Sequence, residues 1–166
     1  MPYLIGRDRL RSALILSPPG MGKTTMLRDA ARQLSRLGYR VALADERGEL
    51  AAPAAGGLPT MDLGPRCDVA TGADKAQLIE RLVRSMAPDA VVTDELGGEN
   101  DARAVYEAAC AGVMVLASAH AADISSARRK RGLASLMEDG LFESFLVLGG
   151  APGHVVEIVD ARGAGV

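Results

Sequence analysis

Short apolar runs alternate along the chain with segments in which apolar residues recur every three or four positions. The runs predict strands at 13–16, 41–44, 90–93, 113–118, 145–148 and 155–159. The periodic segments predict helices at 23–37, 76–87 and 102–111, and a helical piece around 124–138. Strands that alternate with helices are typical of βαβ units. The sequence therefore predicts an α/β fold with a mostly parallel sheet flanked by helices.

Two parts of the chain depart from this alternation. Residues 48–74 are rich in Gly, Ala and Pro and predict a long surface segment with room for one short strand near 61–63. The last two predicted strands flank a glycine-rich turn at 149–153, which favours an antiparallel hairpin at one edge of the sheet. A length of 166 residues has room for one such domain, so we expect a single domain over 1–166.

The charge balance argues against a nucleic-acid partner. Lys and Arg number 19 against 21 Asp and Glu, whereas nucleic-acid-binding domains usually carry a basic excess or stripe. Aromatic residues make up 3% of the chain, which leaves little material for stacking bases. Arg128-Arg129-Lys130-Arg131 is a basic run, but acidic residues flank it. We interpret this run as a solvated helix face or a subunit contact.

Cysteine usage and hydropathy favour a cytoplasmic protein. Cys67 and Cys110 lack C-x-x-C spacing, so we expect two free, reduced thiols. The charged residues before the first apolar run are wrong for a signal peptide. No apolar stretch approaches the roughly 18 residues of a membrane span. We therefore expect no direct insertion into a membrane.

A phosphate-binding loop is predicted between the first strand and the first helix. Its glycines let the backbone curl round a β-phosphate, Lys23 reaches the β- and γ-phosphates, and the Thr24 hydroxyl ligates magnesium. The predicted cofactors are therefore ATP and Mg²⁺. The residues predicted to bind the nucleotide are Pro18, Pro19, Gly20, Met21, Gly22, Lys23, Thr24 and Thr25. Ser17 replaces the usual first glycine of the motif, from which we expect a slightly altered affinity.

Two acidic residues follow the third predicted strand at the sheet edge where open α/β sheets bind ligands. We expect Asp94 to hold magnesium through water and Glu95 to act as the general base on the attacking water. The alternative is a strand that ends in two solvated acids. Glu95 after Asp94 suits water activation better than the phosphorylation of an acceptor hydroxyl, as in small-molecule kinases.

Other polar residues end strands at the same edge. His120 follows a strand expected beside the nucleotide, where it could contact the γ-phosphate, or it is an ordinary polar residue. The stretch 45–49 carries Asp45, Glu46, Arg47 and Glu49, which either face the nucleotide or form a solvated turn.

Together these segments resemble the stage III sporulation protein AA family, ATPases of endospore-forming bacteria related to secretion and pilus-retraction ATPases and to a plastid-encoded relative. The supporting stretches are the phosphate-binding loop and residues 45–49, 62–69, 82–89, 94–97 and 117–120. The resemblance implies a RecA-like P-loop NTPase fold of the ASCE class and assembly into homo-oligomers such as hexameric rings. It also implies partners in a membrane channel complex of sporulation, which would hold the protein at the membrane peripherally.

The resemblance implies roles for further residues. The stretch 45–49, with Glu46 and Glu49, is similar to the family's aspartate box. Asp94-Glu95 is similar to Walker B, and 118–120 to the histidine box. Arg66 and Arg84 fall on arginine positions that are candidates for contacting phosphates, also across a subunit boundary. Which of the two does so stays open.

The chain departs from the family pattern in three places. Full-length members carry a sizeable N-terminal domain, so we expect this chain to be a truncated core or a minimal form. Gly98 stands where an arginine is common after Asp-Glu-x-Gly, and 53–55 replaces a more polar stretch. The leading hypothesis is an ATPase that powers a secretion-like channel. The alternatives are a nucleotide-gated interaction module with little turnover and a nucleic-acid motor.

Overall fold

The computed structural model describes residues 3–6, 9–52, 59–162 and 164–165, so the stretch 53–55 lies outside the described residues. The strands are β1 (Ala13–Ser17), β2 (Val41–Asp45), β3 (Cys67–Thr71), β4 (Ala90–Thr93), β5 (Met114–His120), β6 (Ser144–Leu148) and β7 (Val155–Asp160). The helices are α1 (Lys23–Arg36), α2 (Lys75–Met86), α3 (Glu99–Cys110), α4 (Ile124–Arg128) and α5 (Arg131–Glu138). None of these helices is long and apolar enough to cross a bilayer.

The strands form one sheet in the order β3-β2-β4-β5-β1-β6-β7. Every neighbouring pair is parallel except β6 and β7, which form an antiparallel hairpin. The predicted α/β class, the mostly parallel sheet and the edge hairpin are all confirmed. β1 lies inside the sheet between β5 and β6, and β5 separates it from β4.

Helices cover both faces of the sheet. The buried stripe of α1, which includes Leu27 and Leu34, packs on one face, and helices α2, α3 and α5 cover the other. Strands β1, β2 and β4 are buried along their full length, as parallel strands covered on both sides must be. Such strands have little freedom to move, so residues that follow them are held in fixed relative positions.

The predicted short strand near 61–63 is wrong, and the strand of this segment is β3. At the sheet edge, two of its five residues are exposed, two are partly buried and only Ala70 is buried, so they form no apolar run. The apolar signal upstream has another origin, because Leu63 is buried in the cluster that α1 covers. Gly64 follows at a positive φ of 85° against Ser35 of α1, which keeps this segment in a turn.

The helices differ from the prediction in two further places, and capping explains the first. α3 begins at Glu99 and not at 102, because the Asp101 carboxylate accepts hydrogen bonds from the backbone N–H groups of Gly97 and Gly98 at 3.1 and 3.4 Å. The helical piece predicted around 124–138 is two helices, which are separated at Arg129-Lys130. The turn between them brings the basic run 128–131 to the sheet edge described below.

The two cysteines differ in exposure. Cys67 is half-buried, and burial, with the neighbouring Asp68, raises the pKa of its thiol to about 12, whereas Cys110 is exposed. Because the thiolate is the reactive form, we expect iodoacetamide near pH 8 to alkylate Cys110 at least about tenfold faster than Cys67. Mass spectrometry on the folded chain, with Cys110→Ser as the control, measures both rates. Equal rates would contradict the burial of Cys67.

Candidate active site

The loop that the sequence predicts to bind phosphate lies between β1 and α1. Gly20 and Gly22 adopt positive φ angles of 77° and 86°, which L side chains rarely adopt. Gly22 is the N-cap of α1 and supplies no side-chain cap, so the first N–H groups of the helix are left for another acceptor. The loop residues 18–20 are exposed. Free N–H groups and partial positive charge at a helix start are features that favour phosphate binding.

The Lys23 side chain folds back into this loop and is 7% exposed. Its Nζ donates to Ser17 Oγ at 3.0 Å and to the carbonyls of Ser17 and Pro18, both at 3.2 Å. It also lies 2.9 Å from Nδ1 of His120, which β5 places beside Ser17 in the register. Burial lowers the pKa of Lys23, and the Glu95 carboxylate opposes this effect. The ammonium is thus held at the loop by uncharged acceptors that an anionic phosphate can displace.

The hairpin loop between β6 and β7 supports the phosphate-binding loop from the side. The backbone N–H of Gly153 donates to the Met21 carbonyl at 2.9 Å. A Cβ built on Gly22 would stand 2.9 Å from the backbone nitrogen of Gly153, whereas one on Gly20 would meet nothing within 4 Å. Gly22 is therefore required both by its φ angle and by the approach of the hairpin.

These two glycines form a matched pair for a stability test. We expect Gly20→Ala to cost about 1 kcal/mol from its φ angle. Gly22→Ala adds the collision with Gly153 and should cost about 1–3 kcal/mol more. Denaturant unfolding of both variants measures the difference. Equal losses would mean that the hairpin does not press on the loop in solution.

Glu95 lies between His120 and Arg47. Its Oε1 is 3.5 Å from Nε2 of His120, and its Oε2 is 3.3 Å from the Arg47 guanidinium. With the Lys23–His120 contact, these distances join the phosphate-binding loop to Glu95 through one imidazole. The structure thus brings Lys23, His120 and Glu95 together. Arg47 was considered only as a member of the stretch 45–49, and its pairing with Glu95 was not predicted.

Asp94 is buried beneath Glu95 at the end of β4 and is 7% exposed. Burial raises the pKa of its carboxyl, and the nearby ammonium of Lys75 opposes this rise. Lys75 Nζ lies 3.2 Å from Asp94 Oδ1 and 3.5 Å from Glu46 Oε2, and it donates a hydrogen bond to the Glu95 carbonyl. Lys75 was not identified from the sequence. Lysine is rare in this chain, with three among 19 basic residues, and that rarity was the one signal that could have drawn attention to it.

The stretch 45–49 splits between buried and exposed positions. Asp45 is fully buried, and its Oδ2 accepts a hydrogen bond from the Ala51 N–H at 2.8 Å, while its Oδ1 has no hydrogen-bond partner among the described residues. Glu46 contacts Lys75. Glu49 is exposed, and its backbone carbonyl accepts a hydrogen bond from Arg28 of α1 at 2.9 Å. Glu46 thus joins the site, and the Glu49 side chain is not brought into it.

The two predicted arginines lie away from this edge within one chain. Arg66 directly precedes β3, and its carbonyl accepts from the N–H of Val41 at the start of β2. It is therefore exposed at the amino ends of the strands, the opposite edge of the sheet. Arg84 is exposed in the last turn of α2, nine residues or about 13 Å along the helix from Lys75. A phosphate contact by either residue requires a neighbouring subunit.

The basic run 128–131 borders a cleft beside Glu95. The cleft has a volume of about 420 Å³ and is lined by residues 95–99, Ala102 and 130–133. Arg131 lies 3.7 Å from Glu99 across it. Gly98 approaches Gly132 so closely that a Cβ on Gly132 would stand 2.9 Å from the Gly98 carbonyl oxygen. Gly98 supplies no arginine at this edge, but Lys130 and Arg131 bring positive charge to the same cleft.

The oxygen groups at this edge fit magnesium. No group of three or more His, Cys, Asp or Glu side chains in the described part of the chain could hold a metal ion by itself. Mg²⁺ does not need one, since it usually takes one or two protein oxygens and completes its shell with water and phosphate oxygens. Asp94 is buried after β4 with its Oδ1 3.2 Å from Lys75 Nζ, and Thr24 is half-buried in the first turn of α1. Their carboxylate and hydroxyl are suitable ligands.

Comparison with known sequences identifies the family. Residues 1–166 match the family described as "Sporulation stage III, protein AA". The chain is 38% identical over 170 residues to stage III sporulation protein AA of Bacillus subtilis, which covers 98% of this chain and 55% of that protein. It is also 32% identical over 127 residues to the uncharacterized protein ycf45 of Porphyra purpurea, covering 76% of this chain and 22% of that protein.

Solved structures share the fold. The ATPase DotB of Legionella pneumophila superposes with a TM-score of 0.64 at 16% identity, covering 87% of this chain and 42% of that chain. The VirB11 ATPase of the Brucella suis type IV secretion system, solved with sulphate, superposes with a TM-score of 0.65 at 16% identity. The match covers 92% of this chain and 48% of that chain. The chain spans about half the length of the Bacillus relative and of these ATPases or less. The chain belongs to the sporulation stage III protein AA family, which confirms the resemblance, and it has the P-loop fold of secretion ATPases.

Proposed function

We propose that this member of the sporulation stage III protein AA family binds ATP with Mg²⁺ and hydrolyses it at the carboxyl-end edge of its sheet. The observation that carries the proposal is the contact chain from Lys23 through His120 to Glu95, at distances of 2.9 and 3.5 Å. If the acids after β4 were only solvated strand-end residues, no contact between Glu95 and the lysine of a phosphate-binding loop would be expected.

Each residue at the edge has a distinct part in the proposed reaction. The loop backbone and Lys23 bind the β- and γ-phosphates, and Thr24 and Asp94 hold the metal ion. When bound, Mg²⁺ neutralises phosphate charge. Glu95 orients a water molecule and accepts its proton as the water oxygen bonds to the γ-phosphorus. The bond from that phosphorus to the bridging oxygen breaks, and the products are ADP and inorganic phosphate.

We propose that His120 couples the nucleotide to this chemistry. Lys23 occupies its Nδ1 side and Glu95 its Nε2 side. When a γ-phosphate draws the Lys23 ammonium toward itself, the imidazole loses one partner and can turn toward the phosphate. His120 would thereby report to Glu95 that ATP and not ADP is bound.

We further propose that the chain acts as a homo-oligomer whose neighbouring copies complete each site. Arg66 and Arg84 are exposed and lie away from the nucleotide edge of their own chain, which a role across a subunit boundary requires. An arginine so supplied contributes about 10³–10⁵-fold in rate in other P-loop enzymes. A ring such as a hexamer would present these arginines repeatedly.

The work that hydrolysis drives is proposed from the relatives. The Brucella structure is an ATPase of a type IV secretion system, and the Bacillus relative is a sporulation protein. We propose that this chain energises a secretion-like membrane complex during sporulation and reaches the membrane through partner proteins. Its net charge of −2 supports a protein partner over a nucleic acid.

Phosphate release measured over a range of protein concentrations, with Mg²⁺ and with EDTA, tests the proposal. We expect a magnesium-dependent rate of phosphate release that rises more than linearly with protein concentration, because assembly completes the site. If the rate of phosphate release depends on Mg²⁺ but rises only in proportion to protein concentration, the chain is an ATPase whose site needs no neighbouring subunit. ATP binding without turnover at any concentration would refute hydrolysis by the chain on its own.

That last outcome would favour a nucleotide-gated interaction module. One observation supports this second candidate: Arg47 and His120 engage both carboxylate oxygens of Glu95, which leaves neither oxygen fully free for water. In such a module ATP binding would rearrange the edge without rapid chemistry. Adding a membrane-complex partner separates the two candidates. Unchanged turnover favours the interaction module, and raised turnover favours an ATPase that the partner activates.

A further inference from the structure

Lys75 is a buried cation at the active edge that the proposed reaction has not used. Its side chain is 3% exposed, although lysine is almost never fully buried unless paired. Burying an ammonium is costly unless opposite charges and hydrogen-bond acceptors surround it. The surroundings of Lys75 therefore indicate what keeps it there.

The Lys75 ammonium has three acceptors from two separate strand ends. Asp94 Oδ1 lies at 3.2 Å and Glu46 Oε2 at 3.5 Å, and the Glu95 carbonyl accepts a hydrogen bond from it. Glu46 follows β2, whereas Asp94 and Glu95 follow β4. One ammonium thus joins the acidic stretch after β2 to both acidic residues after β4.

The backbone of Lys75 is fixed by its helix. Asp74 caps α2, and its carboxylate accepts from the Gln77 N–H at 3.0 Å. Lys75 is the first residue of the helix, and Leu78 and Ile79 bury the first turn against the sheet. The backbone from which the Lys75 side chain extends is thus held by a capped and packed helix.

Without Lys75, negative groups would crowd this edge. Asp45, Glu46 and Asp94 lie close enough to influence one another electrostatically, and Asp45 and Asp94 are buried. Arg47 pairs with Glu95 and is exposed, so it does not replace a buried cation. Lys23 is held by the phosphate-binding loop and His120. Lys75 is the cation in contact with Asp94.

We propose that Lys75 is a positioning residue that orients Asp94 toward Mg²⁺ and holds the backbone of Glu95 in register with the stretch after β2. This proposal rests on the proposed function, since it assigns Asp94 to the metal. It predicts that removal of the ammonium weakens the contribution of Mg²⁺ to nucleotide binding. Binding of ATP without metal uses the phosphate-binding loop and should be spared.

Titration of a fluorescent ATP analogue, with Mg²⁺ and with EDTA, tests this role in Lys75→Gln. The glutamine removes the charge but keeps a donor for the Glu95 carbonyl. We expect affinity in EDTA to stay within about twofold of the parent chain, and the gain from Mg²⁺ to fall at least about tenfold. Lys75→Arg, which keeps the charge, should recover part of that gain. Arg81→Gln removes an exposed charge from the same helix and is the matched control.

Two results would overturn the role of Lys75. An unchanged gain from Mg²⁺ in folded Lys75→Gln would show that Asp94 needs no ammonium. Equal losses with Mg²⁺ and with EDTA would show a general defect of the fold. Where Lys75→Gln does not fold, the charge-balanced pair Glu46→Gln with Lys75→Gln replaces it, with the same expected loss. A parent chain that gains nothing from Mg²⁺ would instead refute the proposed function.

Discussion

Glu95→Gln is expected to reduce ATP turnover by about 10²–10⁴-fold while ATP still binds. The amide keeps the size of the side chain but cannot accept a proton from water. It also loses the charge that faces Arg47 at 3.3 Å and His120 at 3.5 Å. Phosphate release and equilibrium binding of ATP, measured on the same preparation with Mg²⁺, separate the two effects.

Glu107→Gln is the matched control, because this exposed glutamate of α3 pairs with Arg103 at 3.6 Å away from the edge. We expect its turnover to equal that of the parent chain. If Glu95→Gln retains more than about a tenth of the parent turnover, Glu95 is not the general base. The carboxylates of the stretch after β2 would then have to be tested for that role.

Lys23→Met is expected to weaken ATP binding by roughly ten- to hundredfold, since hydrogen bonds to charged groups contribute about 1.5–3 kcal/mol. The methionine fills the space of the buried stem but cannot contact phosphates. The fold should survive, because the acceptors left behind are the Ser17 hydroxyl, two carbonyls at the loop and the His120 ring. Calorimetric titration with ATP and a thermal melt measure affinity and stability.

Arg36→Met removes an exposed cation from the other end of the same helix, where it pairs with Asp62, and is the control. Exposed pairs of this kind contribute about 0–1 kcal/mol, so its ATP affinity should not change. An unchanged affinity in folded Lys23→Met would place the nucleotide away from the loop. A loss of folding in Lys23→Met alone would mean that the lysine is structural.

The phosphate-binding loop and the end of β4 were predictable because their signals are local. Gly20, Gly22 and Lys23 stand close together between a strand and a helix, and Asp94-Glu95 directly follows the short strand segment Ala90-Val91-Val92-Thr93. Parallel strands bring such residues to one edge of the sheet, so the fold class implied their convergence. The register that sets Ser17 beside His120 agrees with that expectation.

The rest of the site depends on contacts between distant segments. Lys75 is 19 residues before Asp94 in the chain and precedes the predicted helix by one residue, so nothing in its own segment indicates burial. The approach of Gly153 to Gly22 joins opposite ends of the chain, and only the path of the hairpin shows it. Strand β3 escaped prediction for a related reason: its edge position exposes residues that a central strand would bury.

A crystal structure of Glu95→Gln with ATP and Mg²⁺ would show whether the nucleotide binds and is read at this edge of the sheet. We expect the β- and γ-phosphates inside the loop of residues 17–24, with Lys23 Nζ moved from the Ser17 and Pro18 oxygens to the phosphates. We expect Thr24 and Asp94 to hold Mg²⁺, with Lys75 still in contact with Asp94. A nucleotide bound elsewhere, or a Lys23 that keeps its present partners beside bound ATP, would contradict this expectation.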